Sequence, residues 1–273
     1  MSNKLILVTG WKGFIGQNMM KYLEDYTPFV YDWNETLTPE IEPYDWVIHL
    51  GAISSTTETD VDKVMSQNYE FSVWVYEQCK KFNVNLQYSS SASIYGQTTH
   101  FDEIGPANPE SPYAWSKYLF DRYVGSRFGT HKNTVQGFRY FNVYGQHEDH
   151  KGDQASPYHK FKKQAIEDGE IKIFEGSDKF KRDFVCVDDI CYVHEEMMKE
   201  GDSGIFNVGT GKAVSFLDVA KSFSKKYNVP IKEIPFPDKL KGQYQEFTQA
   251  NLSRLNQYIT EDWIDIREYI ENE

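Results

Sequence analysis

The chain has 273 residues, enough for one large domain or two interleaved ones at about 100–200 residues per domain. Hydrophobic residues make up 40% and charged residues 26%, which is typical of a soluble globular protein. The net charge of −12 argues against a nucleic-acid partner, because phosphate binding needs a basic surface. No apolar run approaches the roughly 18 residues of a membrane helix, and the run at residues 5–8 is too short for a signal peptide. These features predict a cytoplasmic protein.

Neither the cysteines nor the acidic C-terminal segment is predicted to carry chemistry. Cys79, Cys186 and Cys191 are odd in number and lack the spacing of metal ligands, so we expect neither a disulfide framework nor a zinc site. Residues 261–273 contain six carboxylates and one arginine. This composition is typical of a solvated helix face that keeps a protein soluble.

The first half of the chain alternates between short apolar runs and segments with helical periodicity. Strands are predicted at residues 4–9, 28–32, 45–50, 85–90 and 134–141. Helices are predicted at residues 14–25, 61–82 and 113–128. Because strands that alternate with helices form parallel sheets, this order predicts an α/β fold with a doubly wound parallel sheet.

The pattern changes after about residue 143, where glycine and charged residues cluster. Further helices are predicted at residues 157–168, 188–200 and 216–227, and further strands at 183–187 and 205–208. We predict that residues 1–142 and about 183–208 form a dinucleotide-binding domain. Residues from about 143–182 and 209–273 would then form a smaller, interleaved substrate-binding domain.

Three glycines at three-residue intervals lie between the first predicted strand and the first helix. Gly10 permits a tight turn, and Gly13 lets the backbone approach a pyrophosphate at the positive end of the helix. Gly16 allows the helix to pack closely on the strand. In this strand–helix context the spacing predicts a dinucleotide site.

The residues after the glycine loop bear on which nicotinamide cofactor binds. Asp32 ends the second predicted strand, where its carboxylate would accept hydrogen bonds from the adenosine ribose. A 2′-phosphate would instead need a cation, and no lysine or arginine occurs from Tyr22 to Asp62. Lys12, inside the glycine loop, is the local positive charge. These residues favour NAD over NADP but do not exclude NADP.

A tyrosine and a lysine one helical turn apart predict acid–base chemistry. The spacing Tyr-x-x-x-Lys occurs at Tyr76/Lys80, Tyr113/Lys117 and Tyr158/Lys162. Tyr113 and Lys117 alone open a helix downstream of a strand that ends in serines, with Ser91 last. Residues i and i+4 share a helix face, so Lys117 would lower the pKa of Tyr113 and hold a ribose. Ser91 would bind the substrate oxygen.

The glycine loop, Ser91 and the run from Tyr113 to Lys117 resemble the extended short-chain dehydrogenase/reductase superfamily of nucleotide-sugar epimerases and dehydratases, which has a Rossmann-type fold. Five more specific strings lie at residues 51–58, 137–145, 150–152, 174–177 with 180–185, and 234–242 with 247–250. Together they resemble the ADP-glycero-manno-heptose 6-epimerases, from about residue 5 to residue 255.

The resemblance implies inversion at C6 of the heptose through a transient 6-keto sugar. Hydride leaves C6 for a bound nicotinamide and returns to the opposite face. The acid–base tyrosine and lysine of the family correspond to Tyr113 and Lys151, while Ser91 would polarise the carbonyl and Lys117 would bind ribose. The resemblance further implies NADP, a homo-oligomer and a place in lipopolysaccharide biosynthesis.

Residue-by-residue correspondence extends the predicted sites, with no metal expected. The predicted cofactor site comprises Gly10, Lys12, Gly13, Phe14, Ile15, Gly16, Asp32, Trp33, Leu50, Gly51, Ala52, Ser54, Asn68, Tyr113 and Lys117. The predicted substrate site comprises Ser91, Asn142, Lys151, Asp153, Phe174, Glu175, Gly176, Ser177, Arg182 and Tyr244. Candidate cations for the diphosphate are Lys179, Lys181, Arg182, Lys239 and Lys241, of which Arg182 offers bidentate geometry.

Some residues depart from the family pattern, so other functions within the superfamily are also considered. Asp153 and Gln154 replace small and apolar residues, and a carboxylate two residues from Lys151 would raise its pKa or alter the sugar accepted. The alternatives are a 4-epimerase, a 4,6-dehydratase and a non-catalytic NAD(P)-binding sensor. A dehydratase would have an Asp-Glu pair where Ala92 and Ser93 stand, and a sensor would have a broken Ser–Tyr–Lys set.

Overall fold

A six-stranded parallel sheet forms the centre of the protein. The computed structural model describes residues 4–32, 38–130, 132–238 and 245–273, except for the side chain of Asp153. The sheet has the order β2-β1-β3-β4-β5-β9, and every neighbouring pair is parallel. Its strands are β1 (Leu5–Thr9), β2 (Thr27–Tyr31), β3 (Trp46–His49), β4 (Asn85–Ser91), β5 (Val135–Tyr140) and β9 (Gly204–Val208). The predicted Rossmann-type α/β fold is confirmed.

Alternate residues of the strands enter two different hydrophobic layers. In β1, Ile6 and Val8 pack on one face with Met19, whereas Leu7 packs on the other face with Phe120. Side chains of a strand point alternately to opposite faces, so a strand covered on both sides is apolar unless its buried polar groups are paired. β1 and β3 are almost entirely apolar, whereas β4 and β5 carry buried polar side chains such as Gln87 and Gln136, which are hydrogen-bonded to each other at 2.8 Å.

Helices cover both faces of the sheet. α1 (Phe14–Tyr22) packs beside α6 (Val187–Glu200) on one face. The other face carries α2 (Val61–Val64), a π-helical turn (Met65–Glu70), α3 (Phe71–Phe82) and α4 (Pro112–Gly125). The helix predicted over residues 61–82 is therefore continuous but contains a π-helical insertion. No helix in the described ranges combines the length and apolar composition required to cross a bilayer.

The remaining elements form two small sheets and their helices. A three-stranded sheet has the order β10 (Ala213–Ser215), β8 (Lys181–Cys186) and β6 (Asn142–Tyr144). A parallel pair joins β7 (Ile171–Phe174) to β11 (Ile231–Ile234). α5 (Pro157–Lys163), which continues as a π-helical turn (Gln164–Asp168), α7 (Phe216–Tyr227) and α8 (Ile266–Asn272) pack around a core that includes Phe223. Short 3-10 segments lie at Ala92–Tyr95, Asp149–Gln154 and Leu255–Gln257.

The acidic C-terminal segment is more than a solvated face. Ile266 and Ile270 of α8 are buried in the same core as α7. The Glu273 side chain accepts a hydrogen bond from Lys162 Nζ at 2.7 Å, and the Lys226 ammonium donates to the Ile270 carbonyl at 2.7 Å. The apolar positions at i and i+4 dock this short helix, while Glu268 between them is exposed and Glu271 pairs with Lys225 at 2.7 Å.

Two buried aspartates anchor the connections around β8 and α6. Asp183 accepts hydrogen bonds from the backbone of Thr210 at 2.7 Å, Gly211 at 2.9 Å and Ala250 at 2.9 Å, which ties two loops to β8. Asp189 accepts from the Ile264 backbone at 3.1 Å. Burial raises the pKa of Asp189 to about 6, although the bond from Ile264 opposes the rise.

Replacing Asp189 with asparagine should change how stability depends on pH. The folded chain binds the Asp189 proton more tightly than the unfolded chain, because the pKa rises from 3.8 to about 6 on folding. The stability from this proton is complete below about pH 4 and is lost as the pH rises through about 6. Relative to the parent, Asp189→Asn should therefore gain about 1–3 kcal/mol between about pH 4 and pH 7. Thermal unfolding across this range measures the difference, and a constant difference would contradict the assignment.

Candidate active site

A cleft of about 340 Å³ lies between the glycine loop, the carboxyl ends of the central strands, α4 and the loop after β6. The order of the sheet reverses between β1 and β3, and in open α/β sheets ligands bind outside the strand ends at such a reversal. The predicted residues that line the cleft are Gly10, Gly13, Phe14, Ile15, Gly16, Asp32, Leu50, Gly51, Ala52, Ser54, Tyr113, Lys117 and Lys151. The structure therefore brings most of the predicted cofactor site together with three of the four predicted catalytic residues.

The glycine loop is too tightly packed for side chains at two of its glycines. Gly10 has φ +71°, and a Cβ atom there would lie 2.5 Å from the Cα atom of Gly51. A Cβ atom at Gly16 would lie 2.4 Å from the Gly10 carbonyl oxygen and 2.6 Å from the Cα atom of Trp11. The close packing predicted for Gly16 is thus against the loop itself. Gly13, the N-cap of α1, puts no side chain over the helix N-terminus, so these residues fit a dinucleotide pyrophosphate.

Besides Asn68, two of the predicted cofactor residues are not found in the described cleft wall. The Lys12 side chain is exposed and folds over the Trp11 ring, with Nζ 5.5 Å from the ring centroid. Trp33 lies outside the described residues. Asp32 lines the cleft together with Tyr31. The carboxylate of Asp32 therefore forms part of the cleft wall.

Asn68 shapes the cleft from behind its wall. This buried side chain lies in the π-helical turn, accepts a hydrogen bond from the Ile53 backbone at 2.7 Å and donates to the Ile53 carbonyl at 2.9 Å. Ile53 itself lines the cleft. Asn68 was predicted as a cofactor position, and the structure gives it a supporting contact to a wall residue. The π-helical turn is a local feature that helical periodicity does not reveal.

A buried histidine connects the end of β1 to α3. His49 Nδ1 lies 2.6 Å from the hydroxyl of Thr9, and Nε2 lies 2.8 Å from the hydroxyl of Ser72. Thr9 in turn accepts a hydrogen bond from the Gly51 backbone at 3.2 Å. Burial, reinforced by the nearby charge of Lys117, lowers the pKa of His49 to about 3, so the ring is neutral. Sequence reasoning missed this residue, because a histidine inside an apolar strand has no distinguishing spacing.

Tyr113, Ser91 and Lys117 meet at the end of β4. Tyr113 and Lys117 lie one turn apart on α4 and line the same cleft, and Ser91 is hydrogen-bonded to Tyr113. Lys117 Nζ donates to the carbonyl of Ser89 at 2.8 Å and to its hydroxyl at 3.1 Å. Burial lowers the pKa of Lys117 to about 8, against the opposing charge of Asp121.

The pKa of Tyr113 moves in the direction opposite to the prediction. Burial raises it, and the hydrogen bond with Ser91 opposes the rise. The ammonium group of Lys117, which was expected to lower this pKa, is instead bonded to Ser89. Burial of a phenolate is more unfavourable than this hydrogen bond is favourable, so the protonated form of Tyr113 is stabilised.

A buried carboxylate fixes the serine run to α4. Asp121 accepts hydrogen bonds from the hydroxyl of Ser90 at 2.8 Å, the hydroxyl of Tyr88 at 3.0 Å and Nε of Arg139 at 2.8 Å. Arg139 and Asp121 are both almost fully buried. Asp121 follows Lys117 by four residues, so the shared helix face was the signal in the sequence that could have identified it.

Lys151 reaches the cleft from a short 3-10 segment. Its Nζ lies 4.8 Å from the centroid of the Phe14 ring and 3.7 Å from a carboxylate oxygen of Glu148. Burial lowers the pKa of Lys151, and Glu148 opposes that shift. Gln154 Nε2 donates to the Thr57 hydroxyl at 3.3 Å, which links this segment to the loop after Gly51.

Most predicted substrate residues lie away from the cleft wall. The hydroxyl of Ser177 donates to the Phe174 carbonyl at 2.6 Å, and the buried Arg182 lies over the Phe216 ring at 5.5 Å. Asn142 accepts a hydrogen bond from the Thr248 hydroxyl at 3.3 Å. The structure does not bring Asn142, Phe174, Glu175, Gly176, Ser177 or Arg182 to the cleft wall. Tyr244, Lys239, Lys241 and the side chain of Asp153 lie outside the described residues.

Gly16→Ala is expected to weaken cofactor binding, because its Cβ atom would push the glycine loop from the helix N-terminus. Overpacking of this kind typically costs about 1–3 kcal/mol, or about tenfold or more in affinity. Gly125→Ala is the matched control, since Gly125 also lies in a helix but no atom lies within 4 Å of its Cβ position. Calorimetric titration with NAD compares the two variants. Equal affinities would contradict the role given to Gly16.

The comparisons with known proteins place the chain in one enzyme family. Residues 6–209 match the description "NAD dependent epimerase/dehydratase family". This match confirms the predicted enzyme class, an NAD-dependent epimerase. Among the described residues, no group of three or more His, Cys, Asp or Glu could hold a metal ion.

Three solved structures are similar to this chain over nearly their whole length. The ADP-L-glycero-D-manno-heptose-6-epimerase of Helicobacter pylori is 25% identical with a TM-score of 0.86, covering 99% of this chain and 94% of that one. A UDP-N-acetylglucosamine 4-epimerase of Methanobrevibacter ruminantium M1 is 21% identical with a TM-score of 0.87, covering 99% and 97%. The UDP-glucose 4-epimerase of Thermotoga maritima is 24% identical with a TM-score of 0.84, covering 98% and 96%. By its family match and its fold, the chain belongs to the NAD dependent epimerase/dehydratase family.

Proposed function

We propose that the protein is a redox epimerase that inverts C6 of ADP-glycero-manno-heptose through a 6-keto sugar. The observation that carries the proposal is that Tyr113 and Lys151, from different parts of the chain, line one cleft with the glycine loop. The planar ketone must receive hydride on the face opposite to the one that lost it. An acid–base group on each side of the sugar suits this reaction. The similarity to the Helicobacter pylori heptose epimerase supports the choice of sugar.

The two proton-transfer groups have complementary tendencies. A bound nicotinamide would supply the hydride acceptor and donor next to Tyr113. Burial raises the pKa of Tyr113 and lowers that of Lys151, so the phenol keeps the proton that a donor needs and the unprotonated amine, the form that accepts a proton, is favoured. Lys151 would therefore remove the proton of the C6 hydroxyl, and Tyr113 would return one from the other face. Ser91, hydrogen-bonded to Tyr113, would hold the sugar oxygen.

The rest of the substrate would extend from the cleft toward the smaller sheets. In this proposal residues 143–182 and 209–273 form the substrate-binding domain, and Arg182 binds the diphosphate as a bidentate cation. Its burial over Phe216 would keep the guanidinium in one orientation. Assembly into a homo-oligomer and a cytoplasmic location stay predictions.

A 4-epimerase acting on a UDP-sugar is the second candidate. Two 4-epimerases share the fold with TM-scores of 0.87 and 0.84, similar to that of the heptose epimerase. Ala92 and Ser93 follow Ser91 where a dehydratase would carry an Asp-Glu pair, which disfavours dehydration. The two candidates differ in their sugar and nucleotide, so a panel of substrates separates them.

Conversion of ADP-D-glycero-D-manno-heptose to its L-glycero epimer, followed by NMR, tests the function. Tyr113→Phe and Lys151→Met should each lower kcat by about 100-fold or more, since each removes an acid–base group. Lys163→Met is the control, because the Lys163 side chain is exposed and pairs with the exposed Glu167 at 3.8 Å. Conversion of UDP-sugars, with the heptose untouched, would contradict the heptose assignment and favour the second candidate.

We propose NAD as the preferred cofactor because of Asp32. Its carboxylate lines the cleft, where it would accept a hydrogen bond from a ribose hydroxyl and repel a 2′-phosphate. NAD should bind at least about tenfold more tightly than NADP. Asp32→Asn should strengthen NADP binding and change NAD binding less. Calorimetric titration of both cofactors measures this, and tighter binding of NADP by the parent would overturn the preference.

A further inference from the structure

Glu148 is a buried carboxylate that joins both ends of the segment carrying Lys151. One of its oxygens accepts hydrogen bonds from the Gly145 backbone at 3.2 Å and the Ser156 hydroxyl at 2.7 Å. The other accepts from the Ser156 backbone at 2.7 Å and lies 3.7 Å from Nζ of Lys151. Its side chain is fully buried, and a buried charge persists only where such partners surround it. The Glu148 carboxylate therefore links the two ends of the loop formed by residues 145–156 and places a negative charge beside Lys151.

The backbone of this loop needs such an anchor. Gly145, His147 and Gly152 all have positive φ, and for His147 this conformation costs about 1 kcal/mol or more. The Lys151 backbone donates to the Glu148 carbonyl at 2.9 Å, which starts the 3-10 turn. Strained residues keep one conformation only where the surroundings determine it, and the Glu148 contacts do so here.

A second contact fixes the loop to the helix at the cofactor cleft. The buried amide of Asn18, on α1, donates to the Gln146 carbonyl at 2.9 Å and to the Phe14 carbonyl at 2.9 Å. Phe14 begins α1, and its ring faces the ammonium group of Lys151. The start of the loop and the tip of its lysine thus both contact the helix whose N-terminus suits the pyrophosphate.

We propose that Glu148 is a positioning residue that holds the amine of Lys151 at the cleft and closes the loop that carries it. The inference rests on the proposed function, since it gives Lys151 its role in proton transfer. Glu148 would not touch the sugar itself, because its side chain is enclosed by the loop. Three influences act on the charge of Lys151: burial and Lys160 lower its pKa, and Glu148 raises it.

Glu148→Gln keeps the size of the side chain and removes its charge. The Lys151 amine would then lose its anchor, and burial with Lys160 would lower its pKa without opposition. We expect kcat to fall about 10–100-fold, as for a misplaced catalytic group, while KM changes little. The pH profile of kcat should move to lower pH. Glu167→Gln, which breaks the exposed pair with Lys163, is the matched control and should change neither.

A double-mutant cycle with Lys151→Met separates positioning from general structural damage. If Glu148 acts through Lys151, Glu148→Gln should lower the residual activity of Lys151→Met by less than twofold. A further loss as large as in the parent would overturn the proposal. Should Glu148→Gln fail to fold, Glu148→Asp keeps the charge at a different position, and the same cycle with that variant decides between the two outcomes.

A measurement without substrate distinguishes failure of this inference from failure of the proposed function. Acetic anhydride modifies only unprotonated amines, so the pH dependence of Lys151 labelling, followed by mass spectrometry of the NAD-bound enzyme, gives the pKa of the amine. Glu148→Gln should lower it relative to the parent and to Glu167→Gln. An unchanged pKa would overturn the inference even if the heptose is converted, and a lowered pKa would support it even if the heptose is not a substrate.

Discussion

The contact between the backbones of Gly10 and Gly51 is the constraint on which the cleft depends. It joins the ends of β1 and β3 so closely that a Cβ atom at Gly10 would lie 2.5 Å from Gly51. Hydrogen bonds continue from Gly51 through Thr9 and His49 to Ser72 on the neighbouring helix. Because these groups are buried and paired, the cleft wall cannot shift at one point without breaking bonds at the next.

Burial at the strand ends shifts the pKa values of the ionisable groups in the cleft, and it also makes their charged forms unfavourable. It raises the pKa of Tyr113 and lowers those of Lys117 and Lys151, so the acid and the amines all move toward their neutral forms. Asp121 compensates by accepting three hydrogen bonds from groups around the serine run. Burial therefore favours the neutral form of each of these three groups, while the buried ion pair of Asp121 with Arg139 holds the surrounding serine run in place.

Features that recur along the chain could be predicted, whereas contacts between distant segments could not. Short strands such as β1 and β3 are almost entirely apolar and alternate with periodic helices, so the α/β fold follows from the sequence. The spacing of Tyr113 and Lys117 predicted a shared helix face, but the sign of the Tyr113 pKa shift needed knowledge of burial. The resemblance predicts Asn68 as a cofactor position, but its partner Ile53 lies in a loop that no sequence spacing connects to it.

Glu148 is another residue whose contacts could not be predicted from the sequence. It stands three residues before Lys151, but a glutamate in a loop has no periodicity that marks it as buried. Its function depends on Ser156, on the other side of the lysine, and on the attachment of the loop to α1 through Asn18. In the proposed mechanism, α1 would hold the cofactor pyrophosphate at its N-terminus and would also anchor, through Asn18, the loop that carries Lys151. A bound cofactor would then find Lys151 already in position, without a separate conformational change.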